Sequence, residues 1–318
     1  MTASKPSVSA IIVNYQAGAL ILEHLKKLQN ALSQYAHAHI YIVDNASPNG
    51  DYQLLEQSLA GQGNVTLIDG GDNLGFAKAN NIAYEYALKA GTEYILFINP
   101  DAYLRPQALS VLVDSLVTRP QAAISGAQLL TETGDNSACN FRFPTVFREF
   151  ATETGLGFLK KLFGAAPDHR MKKTEPEKAE WVSGAAFLLR TVAAPTLMDG
   201  RYFLYFEETD MMLRLSRAGW EIWHCPGAEV VHVGGVSTGV EHGVAATRRL
   251  PVYWFESWRL YYVGNHGRFY AVFAAFAKVT GILASYGKHA IKRETVGHPP
   301  HYLSDVMRYC LLATLQGK

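Results

Sequence analysis

The feature that most constrains this chain is the regular alternation of apolar runs and amphipathic stretches across its first hundred residues. Residues 8–13 (VSAIIV) and 94–98 (YILFI) are unbroken apolar runs of the kind that suits strands covered on both faces. Between them, Leu20, Ile21, Leu25, Leu28 and Leu32 recur at helical spacing over 19–32. A second strand is predicted at 40–43, running into the turn-rich Asp44-Asn45-Ala46-Ser47-Pro48-Asn49-Gly50. Helix at 54–59, strand at 65–68, the loop from Gly70 to Gly75 and helix at 76–89 complete the series. Strands alternating with helices predict a mostly parallel α/β sheet. Ligands of such sheets sit outside the carboxyl ends of the strands. Here those ends carry Asn14, Asp44, the Asn73 loop and Asp101.

Beyond residue 105 the pattern loosens. A helix is expected at 105–117, with Pro106 in its first turn. The stretch 131–180, polar and carrying Pro144, Pro167 and Pro176, reads as a long excursion or flap. Order resumes at 181–189, and the aromatic run 202–206 leads through Glu207-Glu208-Thr209-Asp210 into a helix at 211–218, ended by Gly219. A strand pair is expected at 221–224 and 229–233. From about 247 the chain reads as helical, aromatic and basic. The layout that follows is one α/β domain over 1–245, divided near 105, and a helical extension over 246–318.

Composition narrows the function classes. With 318 residues and 48% apolar content the chain can bury a sizeable core, which excludes disordered and collagen-like classes. A formal net charge of +1 gives no basic excess that would point to nucleic acid. Cys139, Cys225 and Cys310 form no CxxC pair, so a zinc cluster and a disulfide framework are not expected, in keeping with a reducing cytoplasm. The start lacks a basic n-region and a long apolar h-region, so no signal peptide is expected. The nearest approach to a membrane span, 269–286, carries Lys278 in its middle.

Several residues can carry chemistry. Asp101 follows an apolar strand, where a carboxylate can hold a divalent ion bridging two phosphates; Asn99-Pro100-Asp101 is also an ordinary turn sequence. Glu207, Glu208 and Asp210 complement the positive end of a helix, yet the aromatic run before them could raise a carboxylate pKa into the range of a general base. His232 ends a strand before Gly234 and Gly235, as a structural histidine or a ligand. Neither GxGxxG nor GxxxxGK[ST] occurs, which removes the main support for a nicotinamide-dependent oxidoreductase or a P-loop enzyme.

The order of the motifs is more specific than any one of them. Val-Asn-Tyr, Val-Asp-Asn, Asn-Leu-Gly-Phe-Ala, Asn-Pro-Asp, Trp-Val-Ser-Gly-Ala, Phe-Glu-Glu-Thr-Asp and His-Val-Gly-Gly follow one another over residues 8–240. This set resembles the family 2 glycosyltransferases, and among them the bacterial rhamnosyltransferase-like group. The resemblance implies a GT-A fold and an inverting transfer of a sugar, L-rhamnose from dTDP-rhamnose being favoured, to a cell-surface glycan or polyprenyl-linked acceptor. It implies that Asn14, Asp44, Asn73, Gly75, Asn80 and Asn99 serve the nucleotide-sugar, with Trp181, Ser183 and Gly184 beside the donor sugar and acceptor. Asp101, with His232, would hold Mg²⁺ or Mn²⁺; Asn99 stands where the family's metal-binding DxD motif has its first acid. Glu208 matches the customary base, and Asp210 is the second candidate. The C-terminal helices are expected either at a membrane surface, the inner face of the cell membrane, or in a lid or oligomer contact. Alternatives are a UDP-sugar donor and a relative that binds nucleotide-sugar without turnover.

Overall fold

The computed structural model describes residues 5–165, 174–234, 248–295 and 297–317. Two units are distinguished, and the chain passes between them more than once. One comprises Met1–Phe141, Asp168–Arg201 and Met211–Gly239; the other comprises Arg142–Pro167, Tyr202–Asp210 and Val240–Lys318. The expected boundary at 245/246 lies outside the described residues, as do Pro167 and Gly235.

The first unit is built on β1 (Ser7–Asn14), α1 (Gly18–Leu32), β2 (Ala36–Asp44), α2 (Asp51–Leu59), β3 (Val65–Asp69), α3 (Phe76–Lys89) and β4 (Tyr94–Ile98). Every residue of β1 and β4 is buried, as their unbroken apolar runs require. The sheet order is β3-β2-β1-β4-β10-β6-β11-β5, with β8 on β11. β3, β2, β1, β4, β6 and β11 run in one direction; β10, β5 and β8 run in the other. The fold class is therefore the expected α/β one, with a mostly parallel sheet.

Several local expectations need correction. After β4 comes a three-residue strand, β5 (Ala102–Leu104), and the next helix, α4, starts at Ala108, not at 105. Pro106 lies outside it because Gln107 takes a left-handed φ of 68°, which no helix accommodates. A central strand, β6 (Ala122–Leu130), had no counterpart in the sequence reading; its small residues hide it. Gly126 is needed there because a Cβ would stand 2.6 Å from the Val182 side chain.

The stretch 131–180 is no simple flap. It holds β7 (Asn140–Phe141), α5 (Val146–Thr154), α6 (Gly157–Phe163) and β8 (Glu177–Ala179). The order that resumes at 181 consists of β9 (Trp181–Val182) and β10 (Ala186–Arg190). Helix α7 (Glu207–Arg217) begins at Glu207, so the three acids form its first turn. The expected strand pair is one strand, β11 (Glu221–His232): a register shift between Cys225 and Glu229 absorbs Pro226 and Gly227 without ending the pairing with β6.

The second unit packs α5 against α8 (Val252–His266) and α9 (Arg268–Lys292), and a further helical segment from Tyr302 to Gln316 closes its core. Phe255, Trp258, Tyr261, Tyr262, Ala274 and Ile282 are fully buried. Among them lies an ionic cluster. Lys278 Nζ pairs with Glu149 (2.9 Å) and with Glu153, which sit one turn apart on α5. Trp258, Tyr262 and Tyr302 donate further hydrogen bonds to the two carboxylates. Burial pulls the Lys278 ammonium down, but Glu149 and Glu153 more than offset it and hold it well above the ordinary lysine value.

Candidate functional site

The carboxyl edge of the parallel strands gathers the expected residues of the first unit. Asn14 and Asp44 end adjacent strands and are register partners. Asn14 Nδ2 donates to Asp44 Oδ1 at 2.6 Å, and Ser47 closes the turn with its N–H on Oδ2 (3.0 Å) and its hydroxyl on Oδ1 (2.7 Å). Asp44 is buried, and these bonds hold its carboxylate fixed. Asp51 was not singled out in the sequence, yet its Oδ2 accepts from the Gly18 N–H (2.7 Å) and from Asn14 (3.2 Å), pinning the start of α1 to the same cluster. A Cβ on residue 18 would stand 2.9 Å from the Asp51 carboxyl carbon, so Gly18 makes this contact feasible.

One strand further out, Asn45 links the second turn to the glycine-rich loop. Its Nδ2 donates to Asn73 Oδ1 (2.9 Å), and its Oδ1 accepts from the Leu74 N–H (2.9 Å). Gly75, at φ 80°, then turns the chain into α3. Asn80 is buried inside that helix and bonds the Phe76 carbonyl (2.9 Å). Its neighbour Asn81 makes a two-way clasp on the Met198 backbone, donating at 2.8 Å and accepting at 3.0 Å. Asp51 and Asn81 were missed because a single Asn or Asp in a turn or helix carries no spacing signal, whereas Asn45 was placed at the strand end without a role.

The Asn-Pro-Asp turn sits where β4, β10 and β11 come together. The Asn99 N–H bonds the Ala185 carbonyl (2.9 Å), which brings the Trp181–Ser183–Gly184 segment beside it. Trp181 stacks on Phe141 with centroids 4.4 Å apart, and the Ser183 N–H bonds the Cys139 carbonyl (2.9 Å). Pairing of His232 with Ala102 in the β11–β5 ladder sets the imidazole next to Asp101: His232 Nε2 lies 3.2 Å from Asp101 Oδ1. Asn99 Nδ2 approaches the same nitrogen at 3.4 Å.

Among the described residues no group of three or more His, Cys, Asp or Glu side chains gathers around one point. The donor set at Asp101 is one carboxylate and one imidazole. Such a set fits a hard divalent ion that draws its remaining ligands from diphosphate oxygens and water, and would be sparse for an ion held by protein alone.

In the second unit, the first turn of α7 presents its acids in three different settings. Glu207 is buried, and burial followed by the neighbouring Glu208 pushes its carboxyl well above the ordinary range. The sequence reading expected a raised carboxylate here, and the structure assigns it to Glu207. Asp210 is buried, and its Oδ1 accepts from Tyr202 (3.3 Å) and from Asn265 of α8 (2.6 Å). Glu208 is the half-exposed member. The backbone just before them is strained: Tyr205 and Phe206 both take left-handed φ, 70° and 68°. For aromatic residues this costs about 1–3 kcal/mol each, and such strain clusters at functional sites.

Residues 9–153 match the family described as Glycosyl transferase family 2. An N-acetylglucosaminyl-diphospho-decaprenol L-rhamnosyltransferase of Mycobacterium tuberculosis is 29% identical over 241 residues, 72% of this chain and 76% of that protein. Rhamnosyltransferase WbbL of Escherichia coli strain K12 is 26% identical over 217 residues, 66% of this chain and 78% of that protein. The fold is shared with the mannosyltransferase PcManGT of Pyrobaculum calidifontis, solved with GDP-Man and Mn²⁺, at TM-score 0.57 and 14% identity over 92% of this chain and 76% of that one. With the ordered motifs, the match over residues 9–153 and the likeness to these rhamnosyltransferases support a glycosyltransferase that resembles the rhamnosyltransferase-like group of family 2, on a GT-A fold.

Proposed function

We propose that this enzyme transfers L-rhamnose from dTDP-rhamnose, with inversion, to a hydroxyl of a polyprenyl-linked or cell-surface glycan, working from the cytoplasm at the inner face of the membrane. The observation that carries the reading is the pairing of Asp101 with His232 beside Asn99 at the carboxyl edge of the sheet. Asp101 and His232 would hold a divalent ion, whose positive charge would offset the negative charge that gathers on a departing nucleoside diphosphate. Asn14, Asp44, Asn73, Gly75, Asn80 and Asn99 shape the nucleotide-sugar side. Trp181, Ser183 and Gly184 flank the donor sugar and the acceptor. Glu208 takes the proton of the acceptor hydroxyl as that oxygen attacks the anomeric carbon. Asp210, already holding two hydrogen bonds, keeps the start of α7 in place. No covalent enzyme intermediate is needed; the residues position two substrates in line.

The names of the two relatives, both rhamnosyltransferases, support the sugar, and that of the mycobacterial one supports a lipid-linked acceptor. The test is nucleoside diphosphate release across dTDP-rhamnose, UDP-sugars and GDP-sugars, each with Mn²⁺ and with chelator, alongside thermal melting. dTDP-rhamnose at a hundred times its Kd should add about 2.7 kcal/mol of stability. Turnover and stabilisation confined to UDP-sugars would reassign the donor, and stabilisation without turnover on any acceptor would make the chain a nucleotide-sugar-binding relative.

A further inference from the structure

Helix α9 is 25 residues long and apolar on two opposite faces, long and apolar enough by composition to cross a membrane. One face is accounted for: Ala271, Ala274, Ala275, Lys278, Ile282 and Ser285 are buried in the second unit, with Lys278 in its ion cluster. The other is Phe269 (87% exposed), Phe273 (64%), Phe276, Leu283 and Ile291 (86%). At about 100° per residue these fall within an arc of about 80°, a stripe about 33 Å long with no partner among the described residues. A soluble surface rarely leaves so long a run of large apolar side chains bare.

A second element of the same unit repeats the chemistry. Helix α6 exposes Phe158 (67%) and Leu162 (70%) one turn apart, with Lys160 and Lys161 between them. It follows the end of α5, where Lys288 of α9 donates to the Thr154 carbonyl at 2.9 Å. Neither helix carries a carboxylate, whereas Arg268, Lys288 and Lys292 of α9 lie off the apolar stripe.

We infer that the outer face of α9, with α6, is a docking surface for an anionic lipid bilayer, on which α9 lies flat in the headgroup layer. This deepens the proposed transfer to a lipid-linked acceptor, and its purpose rests on that reading. Charge selects the occupant. Two copies meeting through this face would bring like cations together, while anionic headgroups complement them. The ionic cluster behind Lys278 favours a flat orientation, since a crossing helix would carry it into hydrocarbon.

The experiment is co-sedimentation of the full chain with phosphatidylcholine vesicles, with and without phosphatidylglycerol, at low and high salt. Wild type should pellet with the anionic vesicles and release in high salt. Phe269→Ser/Phe273→Ser should weaken the partition about tenfold or more. Lys160→Glu/Lys161→Glu should weaken it for anionic vesicles alone, and Val117→Ser, an exposed apolar position of the other unit, should leave it unchanged. Melting curves establish that each variant is folded, and nucleoside diphosphate release with a water-soluble acceptor should be unaffected, which separates failure of the surface from failure of the transferase reading. Wild type remaining in the supernatant with anionic vesicles overturns the inference. So does a Phe269→Ser/Phe273→Ser variant that pellets like wild type, or one whose only change is from dimer to monomer by light scattering.

Discussion

Asn265, near the end of α8, donates from Nδ2 to Asp210 Oδ1 at 2.6 Å, so a residue of the C-terminal helices holds an acid of the Glu-Glu-Thr-Asp motif. Tyr202 donates to the same oxygen at 3.3 Å. A carboxylate so held is suited to orienting a helix start; the half-exposed Glu208 is the acid we propose for the acceptor. Glu208→Gln should lower transfer by about 10²–10⁴-fold while leaving donor-induced stabilisation intact. Asn265→Ala should cost about 1–3 kcal/mol of stability and a smaller part of the rate. The rate–pH profile checks the assignment: if Asp210→Asn removes its acid limb and Glu208→Gln does not, the base is Asp210.

Asp101 and His232 come together through backbone pairing, since β5 and β11 are joined at Ala102 and His232. Neither side chain has to be ordered by a ligand first. Asp101→Ala should abolish measurable transfer, a loss of at least about 10²-fold, with the fold intact. His232→Gln should mainly raise the Mn²⁺ concentration needed for half-maximal rate, by about 10–100-fold. Titration of Mn²⁺ against nucleoside diphosphate release measures both, and near-normal turnover by a folded Asp101→Ala variant removes the metal role.

The first hundred residues were legible because β1 and β4 are buried along their whole length and the helices show an apolar stripe, so period alone separates them. The polar carboxyl edge of the sheet was equally legible, because polar residues stand where apolar runs stop. Three things were not. β6 begins with Ala, Ser and Gly around Ile124, and Gly126 packs closely under Val182, so no unbroken apolar run announces the strand. β11 carries Pro226 and Gly227, which read as a break, although a register shift lets the ladder continue past them. The acids of α5 lie in the stretch read as a polar excursion, because nothing local shows that Glu149 and Glu153 meet a lysine more than a hundred residues away.

Glu207 gives a pH signature. Its carboxyl is pushed well above its ordinary value of 4.5, by burial first and by Glu208 second. The folded state therefore holds a proton that the unfolded chain releases. The stabilisation is fully present below the unfolded pKa and is lost as pH rises through the folded one, with a slope of at most about 1.4 kcal/mol per pH unit for one proton. Glu207→Gln keeps the shape without the proton. Its stability relative to wild type should increase as pH rises from the ordinary carboxylate range towards neutrality, measured by urea unfolding at a series of pH values. A relative stability that stays flat across that range would place the proton elsewhere.

Lys278 provides the sharpest test of what holds the C-terminal helices together. It pairs with both Glu149 and Glu153, His298 Nδ1 lies 3.7 Å from Glu153 Oε2, and both carboxylates are also tied to Trp258, Tyr262 or Tyr302. Removing the ammonium alone would take the lysine countercharge from two buried, hydrogen-bonded acids, a loss of about 3–5 kcal/mol. Lys278→Met, which fills a similar volume, should therefore destabilise the chain strongly. Adding Glu149→Gln and Glu153→Gln to it should recover a large part of the loss, because neutral amides no longer need a cation and can still hydrogen-bond the three aromatic donors. Chemical denaturation of the single and triple variants measures the difference. A triple variant no more stable than Lys278→Met would mean that the packing of the lysine stem, and not its charge, joins α5 to α9.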